Sequence, residues 1–223
     1  MIKPGLFGIT VPADTRRMDF DFGNEQILYT QNYPDILFIG DSITQLWDLN
    51  VYFGFAKRLT NRGIGGDTST YLLRRFDADV IQLNPKMVVL MIGTNDISAT
   101  HTDPWWRTQG ADKEIVFQTV SKNVRQCVQK CLNNNISITL CSILPSEIAP
   151  PFDRQIRWKL TDQLNCEIQN ICTENDLKYV DYHTAMCQPD GKTLLYDLSP
   201  DGIHPNAKGY QIMAQVLRST INI

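Results

Sequence analysis

Four short groups of polar residues, each placed where an apolar run ends or a helix begins, could together carry out acyl transfer: Gly40-Asp41-Ser42, Asn61-Arg62-Gly63-Ile64-Gly65-Gly66-Asp67, Gly93-Thr94-Asn95-Asp96 and Asp201-Gly202-Ile203-His204-Pro205. A serine hydroxyl is a weak nucleophile until a base takes its proton, and an imidazole can do so near neutral pH. His204 is the candidate base for Ser42. Asp201 stands three residues earlier on a tight turn. At that spacing a carboxylate can accept a hydrogen bond from one ring nitrogen, fix the tautomer and stabilise the imidazolium. Attack on a carbonyl makes an oxyanion. Its candidate donors are the backbone N–H groups of Ser42 and Gly66 and the side-chain amide of Asn95. Glycine at 66 lets backbone approach a substrate with no Cβ in the way, and one such donor is worth roughly 3 kcal/mol of barrier.

Each of these residues also has a purely local reading. Ser42 could cap the following helix, and Asn95 could be a turn residue. Asp41 reads as structural, holding the turn by hydrogen bonds, although it is also a candidate for substrate contact together with Trp105 and Trp106. Asp67 and Asp96 read as local caps, His183 as a satisfied loop histidine and His101 as solvated. Arg74 and Arg75 read as a charged helix face pairing with Asp77 or Asp79. Gly63-x-Gly65-Gly66 looks like part of a dinucleotide loop, but Thr68 stands where the third glycine is expected, and no acidic residue closes a following second strand. Cys127 and Cys131 share a helix face, which could suit a metal. No His or further Cys stands nearby at ligand spacing, so they read as small core residues.

The elements that must position these groups alternate along the chain. Residues 35–40 (DILFIG), 86–93, 135–142 and 177–182 read as short buried strands, and 56–62 as a weaker one. Continuous Val/Ile/Leu runs suit strands of a parallel sheet covered on both faces. Helical stripes lie between them: Leu72, Phe76, Val80 and Leu83 after a Thr68/Ser69 cap; Val116, Val120, Val124, Cys127, Val128 and Cys131; Leu160, Leu164, Ile168 and Ile171; and Tyr210, Met213, Ala214 and Leu217 after an Asn206 cap. This alternation predicts a three-layer α/β/α sandwich with a parallel sheet. In such a sheet ligands bind beyond the carboxyl ends of the strands, so the four groups should meet on one rim. Residues 1–33 are irregular in pattern and read as an extension packing on a domain of residues 34–223. Two longer loops, 98–110 and 143–154, stand apart.

Composition narrows the function classes. The 223 residues fit one domain, and a net charge of −3 offers no basic excess for a nucleic-acid backbone. No apolar run is long enough to span a bilayer and no signal peptide is visible. With six cysteines and no secretory signal, a cytoplasmic, reducing location is expected. The oligomeric state, a homo-oligomer included, is open.

The four groups, in this order from residue 40 to 204, resemble the blocks of the SGNH, or GDSL-type, hydrolase family. That resemblance implies a flavodoxin-like five-stranded sheet and a serine hydrolase with neither metal nor cofactor. The implied roles are Ser42 as nucleophile, His204 as base, Asp201 as its orienter, and Gly66 and Asn95 as oxyanion donors beside Ser42. The implied substrate is a small-molecule or saccharide ester, with short acyl groups, often acetyl, removed from carbohydrate or a small carrier. A lysophospholipase or thioesterase would use the same residues. A non-catalytic carbohydrate-binding protein would keep only the fold.

Overall fold

The computed structural model describes residues 16–103, 108–148 and 153–223. In chain order its elements are α1 (Arg17–Thr30), β1 (Ile36–Gly40), α2 (Ser42–Gln45), α3 (Leu49–Phe53), β2 (Leu59–Gly63), α4 (Ser69–Asp79), β3 (Met87–Met91), α5 (Thr94–Ser98), the short strands β4 (Thr102–Asp103) and β5 (Thr108–Gln109), α6 (Lys113–Asn133), β6 (Ser137–Cys141), α7 (Arg154–Glu174), β7 (Lys178–Val180), α8 (Tyr182–Met186) and α9 (Ala207–Thr220). Five of the strands form a parallel sheet in the order β2-β1-β3-β6-β7, with helices on both sides, which is the α/β class expected. Among the described residues no helix is long and apolar enough to cross a membrane.

The chain forms two compact units, Met1–Ile92 with Lys122–Thr139, and Gly93–Ser121 with Leu140–Ile223. In the first, β1 is flanked by β2 and β3, with Gly40 level with Gly63 on one side and Met91 on the other. Ile36, Leu37, Phe38 and Ile39 are all buried, as a central parallel strand requires. Beneath the strand end, Trp47 packs edge-on against Phe38 with ring centroids 5.7 Å apart.

Two expectations change in this unit. The N-terminal stretch read as irregular contains α1. Its buried residues are Arg17, Phe20 and Asn24, so the helix docks through polar pairs and shows no apolar stripe. Arg17 forms two hydrogen bonds to Asp79, at 3.0 and 2.6 Å, and the Arg16 and Arg62 guanidinium groups lie over the Phe20 ring at 4.7 and 4.8 Å. Arg75, read as part of a charged face, is fully buried. Thr68 does occupy the N-cap of α4, but its side chain makes no capping hydrogen bond.

In the second unit α9 starts as expected: the Asn206 side chain accepts the N–H groups of Lys208 and Gly209 at 2.9 and 3.1 Å. Leu160, Leu164, Ile168 and Ile171 form the buried stripe of α7. The loop 98–110 carries the β4–β5 hairpin. Trp105 and Trp106 lie outside the described residues. All six cysteines are free thiols, and Cys127, Cys131, Cys141 and Cys172 are buried.

Candidate active site

Ser42 is the first residue of α2, placed immediately beyond β1, and is half-buried. The residue that caps this short helix is Asp41, whose buried carboxylate accepts the Ile43 N–H at 2.9 Å. The sharp exit from the strand needs glycine at 40. A Cβ there would stand 2.3 Å from the Met91 carbonyl oxygen and from the Thr44 hydroxyl.

The glycine turn after β2 is seated on the same helix. Asn61 accepts the Gly63 N–H at 2.8 Å and donates to the Thr44 and Trp47 carbonyls at 2.7 and 3.1 Å. The Gln45 side-chain carbonyl accepts the Gly65 N–H at 2.5 Å. The Asp67 N–H closes the turn on the Ile64 carbonyl at 3.1 Å, and Gly66 has φ +76°. That is the left-handed region, which glycine enters without steric cost. Among the described residues the Gly66 N–H has no hydrogen-bond acceptor.

Arg75 fastens these two turns from behind. Its guanidinium donates to the Gly40 carbonyl at 3.1 Å, the Arg62 carbonyl at 2.8 Å, Asp67 at 2.8 Å and Asp79 at 3.0 Å. Burial alone would raise the Asp79 pKa, but the hydrogen bonds and positive charges of Arg17 and Arg75 outweigh it and hold the carboxylate below its ordinary range. Burial lowers the Arg62 pKa to about 10, so this side chain stays charged at neutral pH.

In the second unit Asp201 and His204 form a hydrogen-bonded pair. His204 Nδ1 lies 2.6 Å from Asp201 Oδ2, while Asp201 Oδ1 accepts the backbone N–H groups of Ile203 and His204 at 2.9 and 2.8 Å. Partial burial pulls the Asp201 pKa up. The hydrogen bonds from the ring and the backbone and the imidazole charge prevail, and the carboxyl is held well below the usual carboxylate range. An ionised carboxylate can only accept, so Nδ1 carries the hydrogen of this pair. The turn is braced by Gly202 at φ +82°. Its carbonyl accepts the Glu147 N–H at 2.8 Å, and a Cβ on it would come within 1.9 Å of the Glu147 carbonyl oxygen.

Asn95 is the second residue of α5 and is half-buried. Gly93 opens that helix at φ +129°, where a Cβ would meet Ile143 Cδ1 at 2.5 Å. The buried Arg157 donates to the Ser98 hydroxyl at 3.0 Å and also to the Ser146 hydroxyl, tying α5 to the loop after β6. His101, expected to be solvated, is buried, with Nε2 3.3 Å from the Asp153 carbonyl oxygen. His183, expected on a loop, is the second residue of α8, and its ring nitrogens are satisfied, 3.1 and 3.2 Å from the Ile143 and Gly191 carbonyl oxygens.

The sequence model of the GDSL-like Lipase/Acylhydrolase family matches residues 38–212. The chain belongs to that family. As a GDSL-type protein it is a carboxylic ester hydrolase. It is 26% identical to an acetylxylan esterase of Geobacillus stearothermophilus over 74% of this chain and 72% of that protein. It is 27% identical to the platelet-activating factor acetylhydrolase IB subunit alpha2 of Rattus norvegicus, over 84% of this chain and 76% of that one. Among solved structures, a GDSL-like lipase from Bacteroides thetaiotaomicron superposes with a TM-score of 0.71 at 26% identity, covering 90% of this chain and 97% of that one.

Within this GDSL-type hydrolase, Arg75 pairs with Asp79 as its sequence position suggests but is buried rather than on a charged face, and Gln45 carried no expectation. Arg75 had a visible sign: it falls on the same helical stripe as Leu72, Phe76 and Asp79, three and four residues apart. Gln45 had none, because its partner Gly65 is twenty residues away in the chain.

Proposed function

We propose that Ser42 is the nucleophile, His204 the general base and Asp201 its orienting partner, with the N–H groups of Ser42 and Gly66 and the side-chain amide of Asn95 receiving the oxyanion. The observation that carries this reading is the Asp201–His204 pair at 2.6 Å, in which the carboxylate holds the Nδ1 side of the ring. Ser42 Oγ attacks the acyl carbonyl as His204 Nε2 takes its proton. His204 then returns that proton to the leaving alcohol oxygen, and the acyl group stays on Ser42. Water, deprotonated by the same imidazole, releases the acid and restores the serine.

The substrates proposed are short acyl esters, acetyl above all, of carbohydrate or a small carrier. Two relatives of this chain, the acetylxylan esterase and the platelet-activating factor acetylhydrolase subunit, are named for acetyl removal. Residues 34–223 are proposed as the hydrolase domain, with 1–33 as its extension; the family match at 38–212 falls inside those bounds. A reducing, cytoplasmic location fits the six free thiols.

Two assays test this. A fluorophosphonate should label Ser42 in the native protein; a protein left unlabelled would point to a carbohydrate binder. Across p-nitrophenyl esters of rising chain length and a set of acetylated saccharides, kcat/KM should be highest for acetyl. A sharp preference for long acyl chains would favour a lysophospholipase or thioesterase.

A further inference from the structure

We infer that Arg157 is a positioning residue for the reaction, its buried guanidinium fixing α5, and with it Asn95, against the turn that carries Asp201 and His204. This rests on the reading of Asn95 as an oxyanion donor. All of these residues belong to the second compact unit. Helix α5 is five residues long and starts after Gly93, which supplies no side-chain cap. So short a helix has little stability of its own, and its placement must come from packing and from bonds made outside it. One such bond reaches it at Ser98, its last residue. A serine hydroxyl has one hydrogen to donate and lone pairs to accept with. That of Ser98 donates to the Thr94 carbonyl at 3.0 Å and accepts from Arg157 Nη1 at 3.0 Å. The Thr94 carbonyl belongs to the peptide whose nitrogen is that of Asn95. The oxygen that Arg157 holds is therefore bonded to the peptide that carries Asn95.

The same guanidinium reaches the acid–base turn in the other direction. Arg157 Nε donates to the Ser146 hydroxyl. The next residue, Glu147, donates its N–H to the Gly202 carbonyl at 2.8 Å. The N–H of that same Gly202–Ile203 peptide goes to Asp201 Oδ1 at 2.9 Å, so the peptide is held at both ends. A continuous path of bonds thus joins the Asn95 peptide to the turn of the acid and base, with Arg157 at its centre. Arg157, Ser98 and Ser146 are all buried, where water does not compete for these bonds. A guanidinium is planar with fixed N–H directions, so two hydroxyls bonded to it are kept at a set separation. An ammonium on a flexible stem sets no such separation.

The test is a double-mutant cycle on p-nitrophenyl acetate with Arg157→Met, Asn95→Ala and the pair. Arg157→Met should lower kcat about tenfold with KM within about twofold of the parent, and the double variant should be within about twofold of Asn95→Ala alone. A loss of folded protein would slow both backgrounds alike, so the cycle separates positioning from stability. An unchanged kcat in Arg157→Met, a loss in KM only, or effects that multiply in the double variant would each overturn the inference. If Asn95→Ala leaves kcat intact, the oxyanion reading of Asn95 fails and takes this inference with it. If Asn95→Ala is slow and Arg157→Met is not, only the role of Arg157 is lost. Where Arg157→Met does not fold, Ser98→Ala takes its place, since it removes the oxygen between Arg157 and Thr94 and leaves the guanidinium on Ser146. It should show the same loss of kcat and the same lack of additivity with Asn95→Ala, and parental kcat in it would sink the proposal.

Discussion

Arg75 and Asp67 form an ion pair sealed from water, with Nη2 and Oδ2 2.7 Å apart and neither side chain exposed. The same guanidinium holds the Gly40 and Arg62 carbonyls, so one buried cation joins the strand end before Ser42 to the turn that carries Gly66. Removing one partner of a buried pair leaves an uncompensated charge, at a cost of about 3–5 kcal/mol. Arg75→Met should therefore lower unfolding stability by that order in urea titrations. A change below about 1 kcal/mol would show that the pair does not brace the fold.

Acid should weaken the same cluster. Asp79 is held below its ordinary pKa in the folded protein. Its contribution is complete above the unfolded value of about 4 and is lost as pH falls through the folded value. Melting temperature should drop as pH falls below about 4, and Asp79→Asn should start less stable and show a shallower fall. Parallel curves for the two proteins would contradict this.

Turnover should separate the roles at the site. Ser42→Ala and His204→Ala should each abolish most activity, and Asp201→Asn should reduce kcat by about 10³ to 10⁴ by losing the tautomer control of His204. Asn95→Ala should lower kcat by roughly 10² to 10³ with a smaller change in KM. A change in KM alone would remove Asn95 from the oxyanion pocket.

Gly202→Ala tests the turn between acid and base. The new methyl would meet the Glu147 carbonyl at 1.9 Å in a residue already at φ +82°. Either the turn or the loop at 147 must shift, so both melting temperature and kcat should fall, though no functional group is removed. Wild-type kcat in this variant would mean that the Asp201–His204 geometry tolerates movement of its support.

What could be read from sequence follows the chemistry of burial. β1, β3 and β6 were legible because aliphatic runs mark strands covered on both faces. The weaker candidate at 56–62 became Leu59–Gly63, a strand whose Arg62 packs its charge over Phe20 and whose Asn61 binds backbone. Helix α1 escaped notice for the same reason, since it docks through Arg17 and Asn24. The Asp201–His204 pair was legible because both residues sit on one short turn. Arg75 was misread because a charge in an amphipathic helix looks solvated until its distant partners, Asp67 and the Gly40 carbonyl, are known.

The thiols offer a practical handle. Cys166, on α7, is exposed, whereas Cys127, Cys131, Cys141 and Cys172 are buried and Cys187, half-buried, has its pKa pushed up to about 12 by desolvation. Alkylation proceeds through the thiolate, so a maleimide dye should couple at one position. A fluorophore placed there would mark the outer face of α7 while the buried thiols of the core stay unmodified.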